Sequence, residues 1–128
     1  MEQTLLLIED DMTLVELLKE ELSSRGLKIY SAQSGKEALE ILEETEPSVI
    51  LLDMHLPDKN GMEICSLIRR MEKFRKVPII AISAKYNEPA DRAQIMLAGA
   101  DSFLGKPLGI ESLWSEIKYF LDKKTQSC

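Results

Sequence analysis

The sequence is short of the features that would place it outside the ordinary globular proteins. Only two cysteines occur, Cys65 and Cys128. That is too few for a disulfide framework, and two free thiols in a reducing cytosol is the plain reading. The longest apolar runs are about half of what a membrane-spanning helix needs, so no transmembrane segment is expected. The opening residues, MEQTLLLIEDD, carry no basic stretch before an apolar run that stops at acids, and a secretory signal is not expected. Positive charge is in deficit as well. Lysine and arginine number 16 against 22 acids, for a formal net charge of −6, which argues against direct nucleic-acid binding. There is no internal repeat or low-complexity linker. No Gly-rich or Ser/Thr-rich loop follows the first apolar run, which disfavours an anionic cofactor there.

What remains is 128 residues, 45% hydrophobic and 30% charged, enough for one domain with one core. The expected domain is residues 1–122, with 123–128, KKTQSC, as a frayed tail. Apolar spacing then divides the chain. Leu5 to Ile8 is a run too short for a helix. Met12 to Arg25 carries Leu14, Val15, Leu18 and Leu22 at helical spacing, and Gly26 suits the turn after a helix. Lys28 to Ser31 reads as a second, weaker strand. Ser34 and Glu37 form a capping box for a helix over roughly 35–45, and Pro47 follows it. Val49 to Leu52 is continuously apolar, as in a strand covered on both faces. Asn60 and Glu63 predict the start of a helix running to about Phe74. Pro78 to Ser83 is another buried strand. A helix over Asn87 to Ala98 has Pro89 near its start. Ser102 to Leu104 is a fifth strand, and Gly109 to Leu121 a last helix with Ile110, Leu113, Trp114, Ile117, Phe120 and Leu121 on one stripe, read as core.

This alternation is (βα)5, which predicts an α/β fold: a doubly wound, five-stranded parallel sheet with helices on both faces. Ligands of such sheets bind beyond the carboxyl ends of the strands. The first strand runs into Glu9, Asp10 and Asp11. The third ends at Asp53, the fourth at Ser83, and the fifth leads into Lys106 and Pro107. If the strand order is 2-1-3-4-5, which composition does not prove, these four ends are neighbours. Each residue alone has a plain reading: a helix cap, a turn hydroxyl or a surface amine. Together they describe a site. Unit charges about 4 Å apart interact by roughly 4 kcal/mol at an effective dielectric near 20, so clustered carboxylates invite a hard cation. Carboxylates with water suit Mg²⁺. Glu9, Asp10 and Asp53 supply about three negative charges, Mg²⁺ returns two and Lys106 one, leaving a pocket fit for a phosphoryl group. Asp53 is then a candidate carboxylate nucleophile and Ser83 a hydrogen-bond donor to phosphoryl oxygen.

These residues resemble the receiver domain of two-component response regulators. The resemblance runs from about Thr4 to Leu121 and rests on LLLIEDD, LLDMHLPDKNGMEI, IIAISA and AGADSFLGKP in that order. It implies a flavodoxin-like fold with strand order 2-1-3-4-5. It implies a signalling switch rather than a conventional enzyme, catalysing only its own phosphorylation and dephosphorylation. Asp53 would be the phosphoacceptor. Glu9, Asp10 and Asp53 would bind Mg²⁺ or Mn²⁺ together with the backbone carbonyl of His55. Ser83 would contact the phosphoryl group, Lys106 would pair with it, and Ala84 would leave it room. Phe103 would be the switch aromatic, and the Lys106–Pro107 bond would be cis. Implied partners are a sensor histidine kinase or histidine phosphotransfer protein and a downstream output domain or target protein. A phosphorylation-dependent homodimer, a cytoplasmic location and no membrane association complete that picture.

Several positions depart from the commoner pattern. Ser83 stands where Thr is frequent, Phe103 where Tyr is, and Gly105 precedes the lysine. Asp11 reads better as a helix cap than as a direct ligand. The His55 side chain reads as an exposed loop group; the sharper reading, shared with Lys85, is a guard over the attacking water. Arg69, Arg70, Lys73, Arg75 and Lys76 read as a solvated helix end complementing the helix dipole, with a docking patch for an acidic partner as the sharper reading. In the expected switch, phosphorylation draws Ser83 inward, Phe103 rotates into the vacated space, and the surface of the fourth helix, fifth strand and fifth helix changes. Three other functions compete: a haloacid-dehalogenase-type phosphohydrolase, a flavodoxin-like cofactor module, and a receiver-like interaction module that takes no phosphate. The first commonly has a second Asp two residues after the nucleophile, where this chain has His55. No output domain is expected after Leu121, so a stand-alone receiver and a piece of a longer regulator or hybrid kinase both remain open.

Overall fold

Runs of Leu, Ile and Val four residues long cannot turn one face to water. In the computed structural model, which describes residues 3–84 and 89–126, they form the centre of a parallel sheet. The strands are β1 (Thr4–Ile8), β2 (Lys28–Ala32), β3 (Val49–Asp53), β4 (Ile79–Ser83) and β5 (Ser102–Gly105). Their order is β2-β1-β3-β4-β5, all parallel. The helices are α1 (Met12–Ser23), α2 (Gly35–Glu44), α3 (Gly61–Arg70), α4 (Pro89–Leu97) and α5 (Ile110–Gln126). No helix of the described residues is long and apolar enough to cross a membrane.

The strand period of two sorts the core into two clusters. Leu6, Ile8, Ile50, Leu52, Ile79 and Ala81 face one way and pack with Ala38, Leu42, Ile64, Ile68 and Ile95 of α2, α3 and α4. Leu5, Leu7, Val49, Leu51 and Ile80 face the other way and meet Val15, Leu18 and Leu22 of α1 and Leu113, Ile117 and Leu121 of α5. Each fully buried aliphatic side chain contributes about 1.5–3 kcal/mol, so the central strands fix the layers. Trp114 packs against the second cluster. The Arg25 guanidinium lies 5.3 Å from its ring centroid and pairs with Glu111 at 2.7 Å.

Most element ends fall where the sequence puts them. Gly26, at φ +95°, turns the chain after α1. Ser34 caps α2 by accepting from the Glu37 amide, and Asn60 caps α3 by accepting from the Met62 amide. Two ends differ. The third helix stops at Arg70, and Met71 is extended, before one 3₁₀ turn over Glu72–Phe74. The last helix continues to Gln126, past the expected end at Leu121. The expected helix start at Asn87, Lys85 and Cys128 lie outside the described residues.

Candidate functional site

The acidic end of β1 and the end of β3 lie side by side, because Ile8 is in register with Leu52. One residue beyond each, Glu9 is fully buried and Asp53 is 3% exposed. The burial follows from the strands: a run covered on both faces carries its last residue under the same helices. On the next strand Asp53 pairs in register with Ile82, placing the wholly buried Ser83 at the adjoining end. Ser83 is in register with Gly105, and its carbonyl accepts from the Lys106 amide at 2.9 Å. The Lys106–Pro107 peptide bond is cis.

These ends bring charges together. Lys106 Nζ lies 3.0 Å from Glu9 Oε2 and 3.6 Å from Asp53 Oδ2. Glu9, Asp10 and Asp53 each offer a carboxylate oxygen within 4.8 Å of the others, and Asp10 faces solvent. Asp11 does not join them. Its carboxylate caps α1, accepting from the Thr13 and Leu14 amides at 3.1 and 3.3 Å. Its amide donates to Glu9 Oε1 at 3.2 Å. The His55 amide donates to Asp53 Oδ1 at 3.1 Å, and its side chain is exposed. Ala84 is exposed beside Ser83. Phe103 is half-buried, with the Arg92 guanidinium of α4 lying 5.0 Å from its ring centroid.

Burial pushes the Glu9 carboxyl up from 4.5 to about 7; Lys106 opposes the shift and the charge of Asp53 adds to it. Burial pulls the Lys106 ammonium down, but Glu9, Asp53 and Asp11 outweigh it, so its pKa is raised. The Glu9–Lys106 contact is a close ion pair without aligned hydrogen-bond geometry, which leaves Glu9 Oε2 buried and without a hydrogen-bond donor. That buried oxygen is compensated by the Lys106 charge alone, 3.0 Å away. Here it faces two further carboxylates, a hard oxygen donor set with one solvent-open side. That arrangement fits a small divalent cation keeping several waters.

The family model for the response regulator receiver domain matches residues 5–118. The chain is a receiver domain of that family. A curated relative, a transcriptional regulatory protein of Pseudomonas aeruginosa, is 37% identical over 93% of this chain and 49% of its own length. This receiver domain thus spans about half of that relative. A two-component response regulator from Clostridium difficile superposes with a TM-score of 0.90, at 27% identity over 98% of this chain and 100% of that one. The receiver domain of a Pseudomonas aeruginosa sensor histidine kinase, solved with a magnesium ion coordinated in its active-site cleft, gives 0.86 at 29% identity over 95% and 99%.

Two residues of this receiver escape sequence reasoning. Asp58, in the loop after β3, accepts from the Gly35 and Lys36 amides at 2.9 and 3.0 Å. It thereby caps α2 from 22 and 23 positions away. Those bonds, the Gly35 amide first, hold its carboxyl below the usual range. Arg69 is not part of a solvated helix end. It donates to the carbonyls of Gly99, Phe74 and Val77 at 2.9, 2.9 and 2.7 Å, and pairs with Asp101 at 2.8 Å. Asp101 also accepts from the Ile79 amide at 2.9 Å. A carboxylate in a loop and an arginine in a basic run have many uses, and no short-range signal announces either contact.

Proposed function

We propose that residues 1–122 accept a phosphoryl group on Asp53 and switch a binding surface with it. The observation carrying this reading is a nearly buried strand-end carboxylate, 3.6 Å from Lys106 Nζ, sharing a 4.8 Å cluster with Glu9 and Asp10. The donor is a phosphohistidine on a sensor histidine kinase or a histidine phosphotransfer protein. An Asp53 carboxylate oxygen attacks phosphorus, the P–N bond breaks as the P–O bond forms, and the imidazole leaves with its electron pair and takes a proton. Lys106 neutralises charge on the transferred group. The Ser83 hydroxyl donates to one of its oxygens, and Ala84 keeps the approach open. Glu9, Asp10, Asp53 and the His55 carbonyl would hold Mg²⁺ or Mn²⁺, which supplies charge compensation for the phosphoryl oxygens. Water attack on the same phosphorus later restores the carboxylate and resets the switch.

The phosphoryl adds roughly 1.5 to 2 negative charges and strong acceptor oxygens. Ser83 is drawn toward it, and Phe103 turns into the space left behind. The β5 edge with α4 and α5 then presents a different surface to an output domain or target protein, or to a second copy. The setting for this exchange is the cytoplasm, where kinase and target meet.

Intact mass of the full chain with acetyl phosphate and Mg²⁺ tests the reading. One phosphoryl adduct is expected on the parent chain and none on Asp53→Asn. An adduct that persists in Asp53→Asn overturns the assignment. Sedimentation of the same samples reports phosphorylation-linked dimerisation.

A further inference from the structure

The opposite end of the sheet, where the strands begin, carries an open groove of about 600 Å³. Its apolar floor includes Val77, Pro78 and Phe120. Lys73 and Lys76, between α3 and β4, and Lys123 of α5 also line it, all exposed. None of the three has a carboxylate within 4.0 Å among the described residues. This is unusual in a chain with six more acids than bases. Cations without carboxylate partners have collected at one place around apolar surface, Lys73 and Lys123 lying over the Phe74 and Tyr119 rings. Two carboxylates also line the groove. Asp101 is held by Arg69, and Glu46 bars further negative charge near itself.

The groove does not end at Lys73 and Lys76. A second hollow shares both lysines and adds Glu72 and Arg75. The two hollows adjoin through those lysines. A nucleic acid is a poor fit, because acids are interspersed along the groove and the molecule as a whole repels a polyanion. Polar flanks around an apolar centre match the anatomy of a small peptide site.

We propose that this groove docks an extended acidic peptide segment of a partner protein, seating a Leu or Phe side chain on the Val77–Pro78–Phe120 floor with flanking carboxylates on Lys73, Lys76 and Lys123. It is a second surface, remote from the acidic rim at the other end of the strands, and it does not depend on Asp53 chemistry. The recognition is electrostatic at the flanks and apolar at the centre, so both parts must contribute.

The test uses the full chain and fluorescein-labelled octapeptides, EEDLFDEE and EEDSSDEE, read by anisotropy, with amide shifts mapped by NMR. The Leu-Phe peptide is expected to bind, with shifts clustered at Val77 and Phe120 and weakening as salt rises. Replacing Leu-Phe by Ser-Ser, or Lys76 and Lys123 by Glu, is expected to weaken binding by about tenfold or more. The Lys76→Glu/Lys123→Glu chain should melt close to the parent, since both side chains are exposed, neither has a carboxylate partner, and Lys123 loses only a solvent-exposed contact with the Tyr119 ring. Lys123→Glu alone serves as the second variant if the double one does not fold. The proposal is overturned by no binding up to about 1 mM peptide, by equal affinity for the serine peptide, or by shifts confined to the Asp53 rim. It is also overturned if vesicles of phosphatidylserine bind the chain through these lysines while the peptide does not.

Discussion

At the scale of the residue, Glu9 meets two opposed demands. It is wholly buried, which favours a neutral carboxyl, yet it lies against Lys106, which favours a charged one. Burial wins, and its pKa rises to about 7 from 4.5. The folded metal-free chain therefore holds a proton on Glu9 between those values that the unfolded chain has released. Stability from this group is complete below about pH 4.5 and is lost as pH rises through about 7, by up to about 3 kcal/mol. Urea unfolding in chelator at pH 5 and pH 7.5 should show that loss, and Glu9→Gln should flatten it. Burial also dominates at Cys65, with the Arg69 charge opposing the shift and Asp101 adding to it. Its thiol is pushed up to about 11, so at neutral pH it packs as a small apolar group and resists alkylation in the folded state. Glu9 and Asp53 were legible as site residues because charge ends each apolar run. The burial of Glu9 was not, since it depends on the neighbouring strand.

Elements are held by contacts that cross them. The loop between β3 and α3 is tied to the start of α2 through Asp58, and the same loop carries His55 beside Asp53. Asp58→Ala should release the Gly35 and Lys36 amides, and hydrogen exchange at those two positions should quicken severalfold while the β3 amides stay protected. Arg69 ties the end of α3, the 3₁₀ turn, the entry to β4 and the loop before β5 into one corner. Arg69→Ala removes the guanidinium donor from three carbonyls and the ion-pair partner from Asp101, which keeps the Ile79 amide. It should cost about 2–4 kcal/mol in urea unfolding, with Arg69→Lys recovering only part. The end of α3 shows where local pattern fails. Ile64, Ile68, Met71 and Phe74 continue at helical spacing, so periodicity predicts one helix to Phe74. The chain leaves the helix at Met71, and the Arg69 contacts bridge the break. The strands were legible because continuous apolar runs bounded by acids, Pro or Ser have few alternatives.

For the molecule as a whole, the sheet separates two ends. The carboxyl ends hold the charged rim, and the amino ends hold the cationic groove. Strand order decides that the acids, Asp53, Ser83 and Lys106 are neighbours; the sequence could supply the residues but not that adjacency without the family resemblance. The proposed output path runs through Phe103, which Arg92 covers from α4. Phe103→Ala should leave the phosphoryl adduct in intact mass nearly at the parent level while weakening phosphorylation-dependent partner binding or dimerisation in sedimentation. A large loss of the adduct would reject that division of labour. Trp114 offers a way to watch such events. It is the single tryptophan of the chain, seated on α5 beneath Arg25 of the α1–β2 turn. The indole is thus a built-in optical probe of how α5 sits on the α1 side. A change in its emission on phosphorylation would register movement transmitted to the last helix rather than quenching by an ion at the acids.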